Sequence, residues 1–432
     1  MLLLSALFPF KHTAIQLSVL TIVAFLSSFI ALPSVLLYGL NTYVHPENIG
    51  NSGPNGPRAA IRRPSDDRSI ANSDLRKRKK SKTSKKRDNL DFDESGAQLF
   101  RLRLVDSHIR TRIYFPEYRT ACLSSFVALS SLLLIHFFPG ESSLPAVFSF
   151  FAISYLSISL GRLLFERSAT KIAEKQISSI VGFLGFLFAL TIEYSLAPSV
   201  FDFRFSGDSN SDAGFLRITA ALMAGYLAWV LFVPATRAAR ALWIGTDQLR
   251  WNIDVVSCGF LGRGIIYVSF VLNVFTVSLW INPLANVSAN AVITVQFRLW
   301  FLFASAIAQF LVLRPNLQMY LNEAVLSWYQ RLHSSKLPDL DFGRAKIFLH
   351  NYYLCLVVLQ FFAPPMLVVL FLGLSQMKGN AFTGLMVVAD GVSYCSLFKE
   401  VSLFLAWWIL FIWVIFMSLM LSILRSGFLY VN

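Results

Sequence analysis

The feature that most restricts this chain is a succession of apolar segments, each near the length a lipid bilayer demands. They run over residues 121–138, 144–165, 177–196, 215–233, 255–281, 291–313, 347–374 and 398–424, with a first candidate at 14–40. A helix rises 1.5 Å per residue, so about 20 apolar residues cross a hydrocarbon core about 30 Å thick. Lipid offers the backbone no hydrogen bonds, which makes helices the expected spanning structure. Charged residues make up 14% of the chain against 55% apolar, far from the roughly 25% charge of a soluble domain. The expected fold is therefore all-α: a polytopic transmembrane helical bundle of eight or nine spans.

The polar remainder divides the chain. Residues 1–40 form an N-terminal membrane anchor, with a cleaved signal segment as the alternative, and Pro33 is expected to kink or end that span. Residues 41–119 are expected to be a disordered basic cytoplasmic linker, because a stretch rich in Gly, Asn, Pro and Ser at 48–57 and a basic run at 76–87 bury no core. Within it, Phe100-Arg101-Leu102-Arg103-Leu104 alternates at period two, which suits a short strand or an interfacial segment. Residues 120–432 form the multi-span membrane domain.

The net charge of +14 would suggest nucleic acid in a soluble protein. Here the excess sits in the linker and in alternate loops, so it sets topology instead, and no nucleic-acid partner is expected. Arg162, Arg167, Lys171, Arg237, Arg240, Arg250, Arg314 and Arg331 share a side with the linker, while Asp208 and Asp212 fall opposite. With nine spans this puts the N-terminus outside or in the lumen and the C-terminus in the cytoplasm. Asn286-Val287-Ser288 is a candidate glycosylation sequon in a lumenal loop.

Several polar groups fall inside spans, where they are costly and point to function by default. Arg298, Ser305 and Gln309 share one helical face of the 291–313 span. Arg298 and Gln309 with Glu193, Asn273 and Gln360 form a candidate intramembrane polar path, Glu193 being at a depth that suits pairing with Arg298. The competing expectations are that Arg298 snorkels to the outer interface and that Asn273 and Gln360 merely join helices by hydrogen bonds. Ala363-Pro364-Pro365 is expected to kink or break its helix. Gly182 and Gly185, and Gly259, Gly262 and Gly264, suit close helix packing. Past the 291–313 span, Leu317, Leu321, Val325 and Trp328 repeat at helical spacing opposite Gln318, Asn322 and Gln330. That pattern predicts an amphipathic helix lying on the membrane or against a neighbour.

The basic run comprises Arg76, Lys77, Arg78, Lys79, Lys80, Lys82, Lys85, Lys86 and Arg87. Beside a cytoplasmic leaflet it suits anionic lipids, and phosphorylation of Ser81, Thr83 or Ser84 would weaken that attraction. Cys122, Cys258, Cys355 and Cys395 have no paired spacing, and His136 and His350 stand alone. No metal site, cofactor, disulfide framework or catalytic set is expected, so the chain reads as non-enzymatic.

Several stretches resemble the transmembrane protein 161 family. They are Tyr114-Phe115-Pro116-Glu117-Tyr118, Arg298-Leu299-Trp300, the exit Leu317-Gln318-x-Tyr320-Leu321-Asn322, Tyr352-Tyr353-Leu354-Cys355 with Leu359-Gln360-Phe361-x-Ala363-Pro364, and Phe404-Leu405-x-Trp407-Trp408. Ile15-Gln16-Leu17 and His45-Pro46 fit as well. The resemblance implies a eukaryotic multi-pass protein of unassigned molecular activity, linked to membrane excitability and stress responses. It implies an N-terminal signal segment and eight later spans, and brings no catalytic or ligand residues. The expected function is non-enzymatic modulation of membrane ion flux or of a stress response. A transporter or channel using the polar path, or a scaffold of internal membranes, are the alternatives. The expected partners are the lipid bilayer, anionic lipids and other membrane proteins, in the endomembrane system or plasma membrane.

Overall fold

The computed structural model describes residues 11–45, 59–61, 99–137, 143–166, 172–197, 199–205, 211–246, 259–282, 291–334, 340–377 and 391–428. Asn286, the residues from Arg76 to Arg87, the 48–57 stretch and Cys258 lie outside them, as do the side chains of His136 and Cys395.

Seven described helices are long and apolar enough to cross a membrane. In chain order the helices are α1 (Lys11–Phe29), α2 (Leu32–Leu37), α3 (Asp106–Arg110), α4 (Phe115–Phe137), α5 (Leu144–Phe165), α6 (Ile172–Thr191), α7 (Ser211–Thr246), α8 (Gly259–Ser278), α9 (Ala291–Ser334), α10 (Leu340–Tyr352), α11 (Leu354–Ser375) and α12 (Gly391–Arg425). The first apolar segment is broken. Ala31 adopts a left-handed conformation (φ 51°) and ends α1, while Pro33 sits in the first turn of α2, where its missing N–H costs nothing.

Helix α11 is the centre of the bundle. Every one of its residues except Gly373 is buried, and it packs against α4, α5, α7, α9 and α12. That enclosure is why Pro364 and Pro365 do not break it, contrary to one expectation from sequence: the helix runs through both. Neighbouring helices hold a turn that has lost backbone donors. The interruption falls instead at Tyr353, between α10 and α11.

Glycine sets the closest helix approach. A Cβ on Gly182 of α6 would lie 2.7 Å from the Trp229 Cβ, and one on Gly225 of α7 would lie 2.7 Å from the Phe186 Cβ. Gly185 is equally tight against Ala228. Gly259 and Gly264, by contrast, face open space. Gly259 instead supplies a positive φ at the start of α8.

The 41–119 segment is not wholly disordered, as its composition suggested. Strands β1 (Asn41–Val44), β2 (Ala59–Ile61) and β3 (Leu99–Arg103) form a sheet in the order β1-β3-β2. β3 pairs antiparallel with β1, Thr42 opposite Leu102. The alternation of β3 follows its period of two from Phe100 onward: Phe100 and Leu102 are half-buried, whereas Arg101 and Arg103 on the opposite face are exposed. Leu99 and Tyr43 pack with Val325, Trp328 and Ile347 of α9 and α10, a core that composition did not reveal.

Candidate functional site

Helix α9 is 44 residues long. At 1.5 Å per residue it spans about 66 Å, twice a bilayer, so its C-terminal half must project beyond one face. The exit half has Leu317, Leu321, Val325 and Trp328 buried, as its periodicity predicts. On its polar side Gln330 is exposed, but Gln318 and Asn322 are taken up by β1. Gln318 uses its whole amide on the backbone of Asn41: Asn41 N–H donates to Oε1 at 3.0 Å, and Nε2 donates back to the Asn41 carbonyl at 3.2 Å. Asn322 accepts from Gln318 Nε2 (2.9 Å) and from the Tyr43 hydroxyl (3.2 Å). Arg314 donates to the Tyr38 carbonyl, and Asn351 donates to the Tyr43 carbonyl. The exit helix thus acts as a docking rail for β1.

At the other end of α9, Arg298 is buried and donates to Asp202 Oδ2 at 2.7 Å. Its guanidinium also lies 5.3 Å from the Trp280 ring centroid. Neither expectation for Arg298 holds, because it does not snorkel outward and its carboxylate partner is not Glu193. The missed signal was Phe201-Asp202-Phe203-Arg204-Phe205. This alternating run follows a π-helical turn (Ile192–Leu196) and folds back over the bundle end. All three phenylalanines are buried, and Phe203 stacks on Trp280 at 4.8 Å and lies against Phe404 and Trp407. Period two then aims Asp202 the other way, toward Arg298. Glu193, within that π-helical turn, is buried with neither carboxylate oxygen hydrogen-bonded, and Arg217 is the opposite charge that acts on it.

Between the ends, polar groups follow the α8–α9 seam. The Thr276 and Ser305 hydroxyls are 2.7 Å apart. Next along it, Asn273 and Gln309 line a cavity of about 30 Å³ with Ser269 and Asn316, room for about two water molecules. Asn273 Oδ1, Asn316 Oδ1 and both polar atoms of the Gln309 amide are buried without a hydrogen-bond partner. Gln360 stands apart from this cavity and accepts from Arg237 Nη1 at 2.5 Å. Arg240, one turn on, faces Glu174 (3.4 Å) and Glu323 (3.8 Å). Of the five path residues, the structure therefore joins Asn273 to Gln309 and assigns Arg298, Gln360 and Glu193 to separate partners or none.

Outside the spans, burial pushes the His350 imidazole down to about 4, partly opposed by the Glu323 carboxylate and reinforced by Lys346. His350 stacks on Tyr320 at 4.5 Å. Among the described residues no group of three His, Cys, Asp or Glu side chains converges as a metal would need.

A buried central helix, seven membrane-length helices and polar groups confined to seams define a multi-pass integral membrane protein. Residues 208–384 match the family described as Predicted transmembrane protein 161AB, a match that supports assignment to the transmembrane protein 161 family. The matched stretch contains the Arg298 face, the α9 exit and the whole of α11. No curated protein and no solved structure matches the chain.

Proposed function

We propose that this protein is a non-enzymatic modulator of membrane ion flux or of a stress response, acting through its helix faces without a pore of its own. The observation that carries this reading is the filled centre. α11 occupies the position a conduit would need; its Gln360 amide is taken up by a hydrogen bond from Arg237, and the Arg298 charge at the end of α9 is neutralised by Asp202. The outward faces of α6 and α8 stay apolar and exposed, with Phe183, Leu184, Val268 and Val271 available to lipid or to another membrane protein. We further propose nine crossings, with the N-terminus outside and the C-terminus in the cytoplasm. The alternation of basic and non-basic loops along the chain supports this.

A second reading, a transporter or channel for a very small solute, is favoured by the unpaired amides of Asn273 and Gln309 on one cavity. Purified full-length protein in liposomes separates the two. The modulator reading expects no flux above empty vesicles. Flux abolished by Asn273→Leu with Gln309→Leu would replace it with the second reading.

A further inference from the structure

The break between α1 and α2 creates a cavity that the bundle itself does not need. Its volume is about 60 Å³, and Ser28, Ser34, Arg110, Phe115 and Arg119 line it. We propose that it holds the phosphate of an anionic phospholipid whose acyl chains lie along α1.

The chemistry of the lining supports a phosphate ligand. Ser34 is 5% exposed, and its hydroxyl is buried at the cavity without a hydrogen-bond partner. Arg119 Nη2 donates to Ser28 Oγ at 2.9 Å, which orients the guanidinium along the cavity wall. Arg110 is more than half exposed; its Nε is held by Asp106 at 2.8 Å, leaving the remaining guanidinium N–H groups free to face an anion. Against the one carboxylate stand two guanidinium groups, so the site carries a net positive charge. Its position supports a lipid source. Phe25, Phe29 and Ile30, on the segment entering the cavity, are 71%, 79% and 58% exposed. An apolar wall leading to a basic hydroxyl-lined cavity matches an acyl chain leading to its headgroup, the arrangement by which basic pockets between helices take anionic lipid. This site is distinct from the 76–87 basic run.

The test is native mass spectrometry of the full-length protein titrated with phosphatidic acid, with phosphatidylcholine and inorganic phosphate as separate arms. Wild type is expected to retain phosphatidic acid over phosphatidylcholine. Each arginine near the surface accounts for about a fivefold change, so Arg110→Gln with Arg119→Gln is expected to lower phosphatidic acid affinity about twenty-five-fold. Ser34→Ala is expected to cost a few fold, and the double lysine variant to retain most binding. Arg110→Gln alone tests the site if the double variant does not fold. Unchanged binding in the folded arginine variants, or loss only when the 76–87 run is neutralised, overturns the proposal. Inorganic phosphate bound as tightly as phosphatidic acid would make the site one for free phosphate and overturn the lipid assignment.

Discussion

The carboxylate of Asp202 lies 2.7 Å from the guanidinium of Arg298, across 96 residues of sequence and at the mouth of the bundle. The pair is unequal: the Arg298 side chain is 4% exposed and that of Asp202 is 27%. Arg298 is therefore the group that cannot recover its hydration when the partner is lost. Asp202→Ala is expected to destabilise the protein by about 1–3 kcal/mol, below the usual cost for a fully buried pair because water reaches Asp202. Thermal melts in detergent measure this. A double-mutant cycle with Arg298→Met should show that most of the cost disappears when both charges are removed; additive losses would mean the two residues act independently.

The α6–α7 seam makes a second expectation. A methyl on Gly225 meets the Phe186 Cβ at 2.7 Å and the Gly182 carbonyl at 3.0 Å, and neither can swing away as a long side chain would. Gly225→Ala should cost about 1–3 kcal/mol by forcing the helices apart. Gly264→Ala, facing open space, should be neutral or slightly stabilising. Equal melting shifts for the two variants would refute this account of the seam.

Docking of β1 on the exit helix depends on one amide. Gln318→Leu removes both hydrogen bonds to Asn41 and one to Asn322, leaving the half-buried backbone groups of Asn41 without that partner. The expected loss is about 1–3 kcal/mol, local to the sheet. Hydrogen exchange should quicken in Asn41–Val44 and Leu99–Arg103 while α11 stays protected. Uniform loss across the protein would argue that the sheet is not a separate unit.

His350 predicts a pH dependence of stability. Its folded value near 4 lies below the ordinary 6.5, so the unfolded chain binds a proton more readily between those values. Stability from this group is full above about pH 6.5 and is lost as pH falls toward about 4. Glu323, Lys346 and Arg237 are the charged groups acting on it, and Tyr320 covers its ring. His350→Gln should flatten the stability profile across that window, as followed by melts at several pH values.

The unpaired amides on the α8–α9 seam permit a gain. Asn273→Leu with Gln309→Leu removes buried polar atoms that have no partner, so the double variant should melt higher, by the equivalent of about 1 kcal/mol or more. A lower melting temperature would show that ordered water in the cavity satisfies those amides.

Much of this protein was determined by sequence alone, because lipid leaves a chain so few choices. About 20 apolar residues in water-free surroundings must form a helix, so seven of the nine expected spans, the helical class and the apolar face of the exit helix followed from periodicity and length. Period two at Phe100-Arg101-Leu102 allowed a strand or an interfacial segment, and the structure has the strand. Partners were a different matter. Arg298 announced that it needed an anion, yet only the fold-back of Phe201-Asp202-Phe203 decided which one, since the choice depends on where aromatic packing holds a loop. Pro364 and Pro365 carry the local signal of a break, and enclosure by five helices overrode it. Gln318 and Asn322 showed only as the polar side of an amphipathic helix, because the strand they bind lies 277 residues away along the chain. Hydrophobic length is a property of contiguous residues and can be read in order; the pairing of polar groups is decided by distant segments competing for the same buried space, and only the tertiary structure settles that competition.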